Sequence, residues 1–296
     1  MILSGIIVPL LTPFKMDGQI NFDEYERLID YTVRNGVKGI FVGGTSGEFV
    51  NLTVNERIEQ LKLARQVLPA GVKLLFNVSA LNPEDLDTLI AAAGKEGVDG
   101  VSVVAPYYNK FDTQSIVEYF QYISEHCAKM PLFLYNMSGL THNPITLDVL
   151  NQILPTCPNI MGIKDSSMSF TNLLEMFSSF KPDGLEIITG NDAEIMAARA
   201  FGSEGAIVAM ANCFPKLVCS VWNDYGIRDF QEIWEKQSKV IQIRRLFRSI
   251  MPIMSHKAAL ELQGFNMGPA RFPFRCLTVE EKKSVADTLD QLNIEF

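Results

Sequence analysis

Eight short apolar runs, each followed by a longer amphipathic stretch, set the tightest limit on what this chain can fold into. The runs lie at 5–11, 39–42, 74–78, 100–104, 132–135, 160–164, 186–189 and 206–209. They are near-continuous in apolar residues, as strands are when helices cover both faces of a parallel sheet. Between them, segments at 22–35, 54–68, 83–96, 114–128, 147–154, 170–180 and 192–201 repeat apolar residues at three- and four-residue steps, for example Tyr25, Leu28, Ile29 and Val33. Helix starts are punctuated: Asn82-Pro83 puts proline at a first-turn position, and Thr53 precedes Glu56 by the spacing of a capping box. Eight units of roughly 25 to 30 residues close a (β/α)8 barrel. A doubly wound open sheet is the competing arrangement, but no GxGxxG follows the first run. The reading is therefore α/β: a TIM barrel over residues 1–227 with a C-terminal helical extension at 228–296. Helices are expected in that extension at 230–250, 256–263 and 279–292, packed on the barrel because no Pro/Gly/Ser-rich linker intervenes.

Composition removes several function classes. The formal charge of −8 comes without a basic block, which argues against nucleic acid as a partner. Five scattered cysteines without CxxC spacing suggest neither a disulfide framework nor a zinc site. The three histidines, His126, His142 and His256, are too far apart in sequence to suggest histidine-based metal chemistry. The apolar start lacks a basic leader region and reads as a first strand, and no apolar stretch approaches a membrane span. The expectation is a cytoplasmic protein with reduced thiols that engages neither membrane nor nucleic acid.

Chemistry collects where a barrel keeps its active site, at the C-terminal ends of the strands. Gly43-Gly44-Thr45-Ser46-Gly47-Glu48 follows the second run, Tyr107-Tyr108-Asn109 the fourth, and Tyr135-Asn136 ends the fifth. Lys164-Asp165-Ser166 ends the sixth, and Gly190-Asn191-Asp192 follows the seventh. Burial disfavours the charged form of a lysine amine, and the neutral amine is what condenses with a carbonyl; the alternative for Lys164 is a strand-end lysine that snorkels to water. The Gly-Thr-Ser-Gly turn suits a small carboxylate approached by backbone N–H groups and two hydroxyls, or is simply a tight turn. Tyr135 is a proton relay or an aromatic seal on the barrel top. Glu48 reads as a residue favouring a helix N-terminus more than as a base. Asp165, alternating with Lys164, points towards the helical layer. The arginines at 244, 245 and 248 read as a solvated or subunit-facing surface.

Together, Gly44-Thr45-Ser46-Gly47-Glu48, Tyr108, Tyr135-Asn136 and Gly162-Ile163-Lys164 resemble the dihydrodipicolinate synthase / N-acetylneuraminate lyase family. The resemblance spans the chain, including Thr12-Pro13-Phe14 and the helical tail. It implies a (β/α)8 barrel, usually a homotetramer, that binds pyruvate or another 2-oxo acid as a Schiff base with no metal or organic cofactor. By this resemblance Lys164 is the Schiff-base lysine and Tyr135 the proton-relaying tyrosine. Thr45 and Ser46 are the carboxylate-binding pair beside Gly44, and Ile207 presents a backbone carbonyl to the lysine. Tyr108 matches a tyrosine that, in synthases, reaches into a neighbouring subunit's site.

Departures from the pattern favour one branch. Synthases carry an arginine five residues after the tyrosine, where this chain has Leu140, and leucine cannot replace a bidentate guanidinium. Leu140 is similar to the lyase and sugar-acid aldolase branch. The acidic residue that sialic acid lyases place after their Gly-x-Asp motif is absent: Gly190-Asn191-Asp192 is followed by Ala193. Ser166, Gly190 and Asp192 are the expected contacts on the aldehyde side; His142, unusual in the Tyr135 loop, lines that side or is simply a solvated loop histidine. The resulting expectation is a pyruvate-forming class I aldolase acting on a 2-oxo sugar acid or related hydroxy-2-oxo acid. A synthase-type condensation of pyruvate with an aldehyde, an N-acetylneuraminate lyase and a non-catalytic 2-oxo-acid-binding homologue are the alternatives.

Overall fold

A computed structural model describes residues 2–294. Eight parallel strands run in chain order around a closed barrel. They are β1 (Gly5–Pro9), β2 (Gly39–Val42), β3 (Lys73–Asn77), β4 (Gly100–Val104), β5 (Leu132–Asn136), β6 (Ile160–Asp165), β7 (Glu186–Thr189) and β8 (Gly205–Ile207). The helices are α1 (Phe22–Arg34), α2 (Val54–Val67), α3 (Pro83–Glu96), α4 (Thr113–Cys127), α5 (Ser138–Thr141), α6 (Leu147–Ile153), α7 (Phe170–Phe180), α8 (Ile195–Ala200), α9 (Pro215–Asn223), α10 (Phe230–Ile250), α11 (Pro252–Leu262) and α12 (Val279–Gln291). The open-sheet alternative is thereby excluded.

The two-residue period of the strands divides the apolar residues into two cores. On β5, Leu132 and Leu134 face the helices, whereas Phe133 and Tyr135 face the barrel interior. Ile7, Phe41, Leu75 and Ile188 join that interior from four other strands. Gly162 explains its own place in the Gly-Ile-Lys sequence: an added Cβ would lie 2.9 Å from the Phe133 ring and 2.5 Å from the Glu186 carbonyl oxygen. Small residues here let one large ring fill the barrel beneath Lys164.

The capping signals hold. Thr53 and Glu56 exchange both bonds of a capping box, and Asn82 caps α3 ahead of Pro83. Several elements differ from expectation, the short helix α5 among them. Helix α9 is an addition to the expected elements; it starts at Pro215 and buries Val218, Cys219, Val221 and Trp222. Residues Ala209–Asn212 form a 3-10 turn instead of ending the last strand. Helix α11 begins at Pro252, where proline occupies the first turn, and not at His256. All five cysteines are free, and among the described residues no helix is long and apolar enough to cross a membrane.

Candidate active site

Strand register sets the centre of the site. Tyr135 pairs with Lys164, and Lys164 pairs with Ile188, so lysine and tyrosine stand side by side at one level of the barrel interior. Lys164 is 4% exposed, with Nζ 4.0 Å from the Tyr135 ring centroid and 5.1 Å from that of Phe41. Among the described residues no carboxylate forms an ion pair with it. The Tyr135 hydroxyl lies 3.2 Å from Thr45 Oγ1, either oxygen being able to donate. Lys164, Tyr135, Thr45, Ser46 and Ile207 all line a cavity of about 580 Å³ that opens at the C-terminal ends of the strands. That volume falls within the range of small-molecule sites and exceeds what a three-carbon acid fills.

The turn after β2 is tightly fixed. Thr12 Oγ1 donates to the Gly47 carbonyl at 2.7 Å and accepts from Gln60 Nε2 at 2.9 Å. Gly44 does not itself line the cavity. A Cβ there would stand 3.0 Å from the Phe41 ring, which packs edge-on against Tyr135. Glu48 is neither a solvent-exposed base nor a simple helix-start residue: its carboxylate is fully buried and accepts from Lys257 Nζ of α11 at 2.6 Å. Buried Arg57 of α2 donates to the carbonyls of Asn77 and Ser79, and burial pulls its guanidinium down to about 10. Arg57 also sits over Phe49, whose ring packs edge-on against Tyr107.

On the β6–β7 side, Asp165 turns to the helical layer as its alternation with Lys164 requires. It accepts from Asn136 Nδ2, Ser167 Oγ and Asn172 Nδ2. Burial raises its carboxyl above the usual range, and those bonds oppose the rise. Ser166 faces the cavity. Gly190 packs so closely that a Cβ would lie 1.9 Å from Ser166 Oγ and 2.9 Å from Lys164 Cε. Asp192 also lines the cavity, its Oδ1 accepting from Met210 N at 2.8 Å.

Two of the named residues lie outside the cavity of their own chain. His142 is exposed, with φ 60°, where it ends α5, so it does not line the cavity; Leu140 and Thr141 do. Leu140 lies at the rim, 57% exposed. Tyr108 is 87% exposed and outside the cavity of its own chain, which Tyr107 lines instead. Non-glycine residues with positive φ collect on the loops around the mouth: Glu48, Tyr108, His142 and Met168 follow β2, β4, β5 and β6 respectively. Backbone strain of this kind gathers at binding sites.

Another correction concerns α10 and α11. Arg244 and Arg248 line the cavity mouth and are not simply surface; Phe247 and His256 line it with them. Helix α10 is docked by Gln237, which accepts from Met196 N and donates to the Asp192 carbonyl oxygen. Positions seven and eleven residues further on share that face, and they are Arg244 and Arg248. The available signal was that neither arginine has an acidic residue three or four positions away on its helix.

A family profile described as the dihydrodipicolinate synthetase family matches residues 2–292. A 4-hydroxy-tetrahydrodipicolinate synthase of Clostridium acetobutylicum is 30% identical over 273 residues, 92% of each chain. Among solved structures, YagE, a prophage protein of the dihydrodipicolinic acid synthase family from E. coli K12 in complex with pyruvate, superposes with TM-score 0.94 and 26% identity, covering 100% of both chains. CdNal of Clostridium difficile, in complex with mannosamine, superposes with TM-score 0.91 and 25% identity over 98% of this chain and 99% of its own.

Proposed function

The chain belongs to the dihydrodipicolinate synthetase family, and within it we propose a class I aldolase that cleaves a hydroxy-2-oxo acid, of the sugar-acid type, to pyruvate and an aldehyde. Members of this family are lyases and aldolases. One observation carries the reading: Lys164 Nζ, the Tyr135 ring and Thr45 Oγ1 lie in succession in the cavity, with no carboxylate among the described residues in ion-pair contact with the amine.

The neutral Lys164 amine attacks the C2 carbonyl, and the carbinolamine loses water to give an iminium ion. Tyr135, with Thr45 next along the line, supplies and recovers the protons of that step. The C3–C4 bond then breaks, its electron pair moving into the iminium to leave an enamine, while the C4 hydroxyl passes its proton to the Tyr135–Thr45 relay and the C4 fragment departs as the aldehyde. Protonation of the enamine at C3 and hydrolysis return pyruvate and free lysine. The hydroxyls of Thr45 and Ser46 hold the substrate carboxylate, and the Ile207 carbonyl faces the amine. No metal or organic cofactor enters these steps. Tyr108, exposed on this chain, fits a role in the cavity of a neighbouring copy, as in a homotetramer. Leu140 at the rim offers no guanidinium to a second substrate, which favours cleavage of sugar acids over a synthase-type condensation.

The test is reductive trapping. Incubation with pyruvate and borohydride should add a reduced pyruvyl group to Lys164, seen by peptide mass spectrometry and absent from Lys164→Met. An unmodified lysine would sink the reading. Condensation of pyruvate with aspartate semialdehyde, without cleavage of any sugar acid, would replace it with the synthase-type reaction.

A further inference from the structure

The outer wall of the cavity takes no part in the Schiff-base steps, yet it is the most highly charged part of the lining. The guanidinium groups of Arg244 and Arg248 converge on one atom, Met168 Sδ, at 3.3 and 3.4 Å. A thioether is a weak acceptor and neutralises nothing. Among the described residues neither arginine forms an ion pair, although the charges of Asp192 and Glu194 reach Arg244. Like charges four residues apart on a helix cost stability, and most of this pair's N–H donors have no partner among the described residues.

Acceptors stand nearby. His256 is 6% exposed and lines the cavity; its Nδ1 lies 2.6 Å from the Pro252 carbonyl oxygen. A carbonyl oxygen only accepts, so in the neutral ring Nδ1 carries the proton and Nε2 is a bare acceptor. That Nε2 has no partner among the described residues and is itself shut off from solvent. Asp192 uses Oδ1 for Met210 N, and its Oδ2 has no partner among the described residues.

The geometry points to an anion subsite: Arg244 and Arg248 bind a carboxylate or phosphate at the far end of the aldehyde half of the substrate, and Asp192, beside His256, accepts from a hydroxyl between that end and Lys164. Donors and acceptors then match along the molecule. An aldehyde with a neutral end would leave both guanidinium forks unused. The inference rests on the Schiff-base reading for what occupies the inner end of the cavity.

Titration calorimetry tests it, with 3-phosphoglycerate, tartronate and glycerol as probes on the protein before and after pyruvate–borohydride treatment. At least one of the two anions should bind more than about ten-fold tighter than glycerol, the scale of one charge-assisted hydrogen bond. The tighter of the two identifies phosphate or carboxylate as the natural end group. Arg244→Gln/Arg248→Gln should lose that preference and still form the Lys164 adduct with pyruvate. If the double variant does not fold, Arg248→Gln alone, at an exposed position, should lose part of it. Equal binding of the anions and glycerol, or an unchanged preference in the variants, overturns the subsite. Because the adduct is read separately, its presence without anion preference sinks only the subsite, and its absence sinks the aldolase reading.

Discussion

Lys257 Nζ donates to Glu48 Oε1 at 2.6 Å across a sequence separation of 209 residues, with both side chains shut off from solvent. Burial pulls the Lys257 amine below its ordinary value, and the Glu48 charge opposes that shift. The ammonium also lies 4.5 Å from the Phe14 ring centroid. Removing one partner of such a pair strands the other in a dry interior. Lys257→Met should therefore cost about 3–5 kcal/mol in urea unfolding, and Glu48→Gln/Lys257→Met should recover part of that loss. A single-variant loss below about 1 kcal/mol would mean the pair is dispensable.

Lys164, Tyr135, Thr45 and Ser46 were legible in the sequence because strand ends of a barrel converge, and the two-residue period decides which side chains enter it. Lys164 and Asp165 separate cleanly on that rule. The Glu48–Lys257 pair and the Arg244–Arg248 wall were not legible, since how a tail helix lies across a barrel depends on packing that no local period encodes. The choice between the two readings of His142 was not legible for a related reason. At the end of the short helix α5 it takes a left-handed conformation, and its neighbours Leu140 and Thr141 take the inward positions.

Tyr135→Phe keeps the ring beside Lys164 and removes only the hydroxyl. Turnover should fall roughly 10²- to 10⁴-fold, the usual range for losing a positioned proton donor, with the melting temperature little changed. Thr45→Val should show a smaller loss in the same direction. Steady-state kinetics and the rate of borohydride trapping would be measured together; wild-type turnover in Tyr135→Phe would remove the tyrosine from the reaction.

Gly190→Ala inserts a methyl group where Ser166 Oγ and Lys164 Cε already crowd. We expect a stability loss of about 1–3 kcal/mol from overpacking. Displacement of the lysine should lower kcat by about 10²-fold. Crystallography of the variant would show Ser166 or Lys164 moved; an unmoved pair with full activity would contradict the close approach.

His256 gives a pH dependence of stability. Burial holds its ring below the ordinary value of 6.5, with the Pro252 carbonyl and Asp192 opposing. Below 6.5 the unfolded chain takes up a proton that the folded chain still refuses, so stability falls as pH drops from 6.5 towards the folded value. His256→Gln should flatten that part of the profile. Urea midpoints measured from about pH 7 to 5 check this, and parallel profiles for both proteins would refute it.

Because Arg244, Phe247, Arg248 and His256 come from the tail, whereas Lys164, Tyr135 and Thr45 come from the barrel, the proposed anion subsite and the proposed nucleophile are written in different stretches of the chain. A chimera joined between α9 and α10 would inherit its proposed nucleophile from one parent and its proposed anion subsite from the other. Diversification among such proteins can then proceed by exchanging the final helices, leaving Lys164 undisturbed.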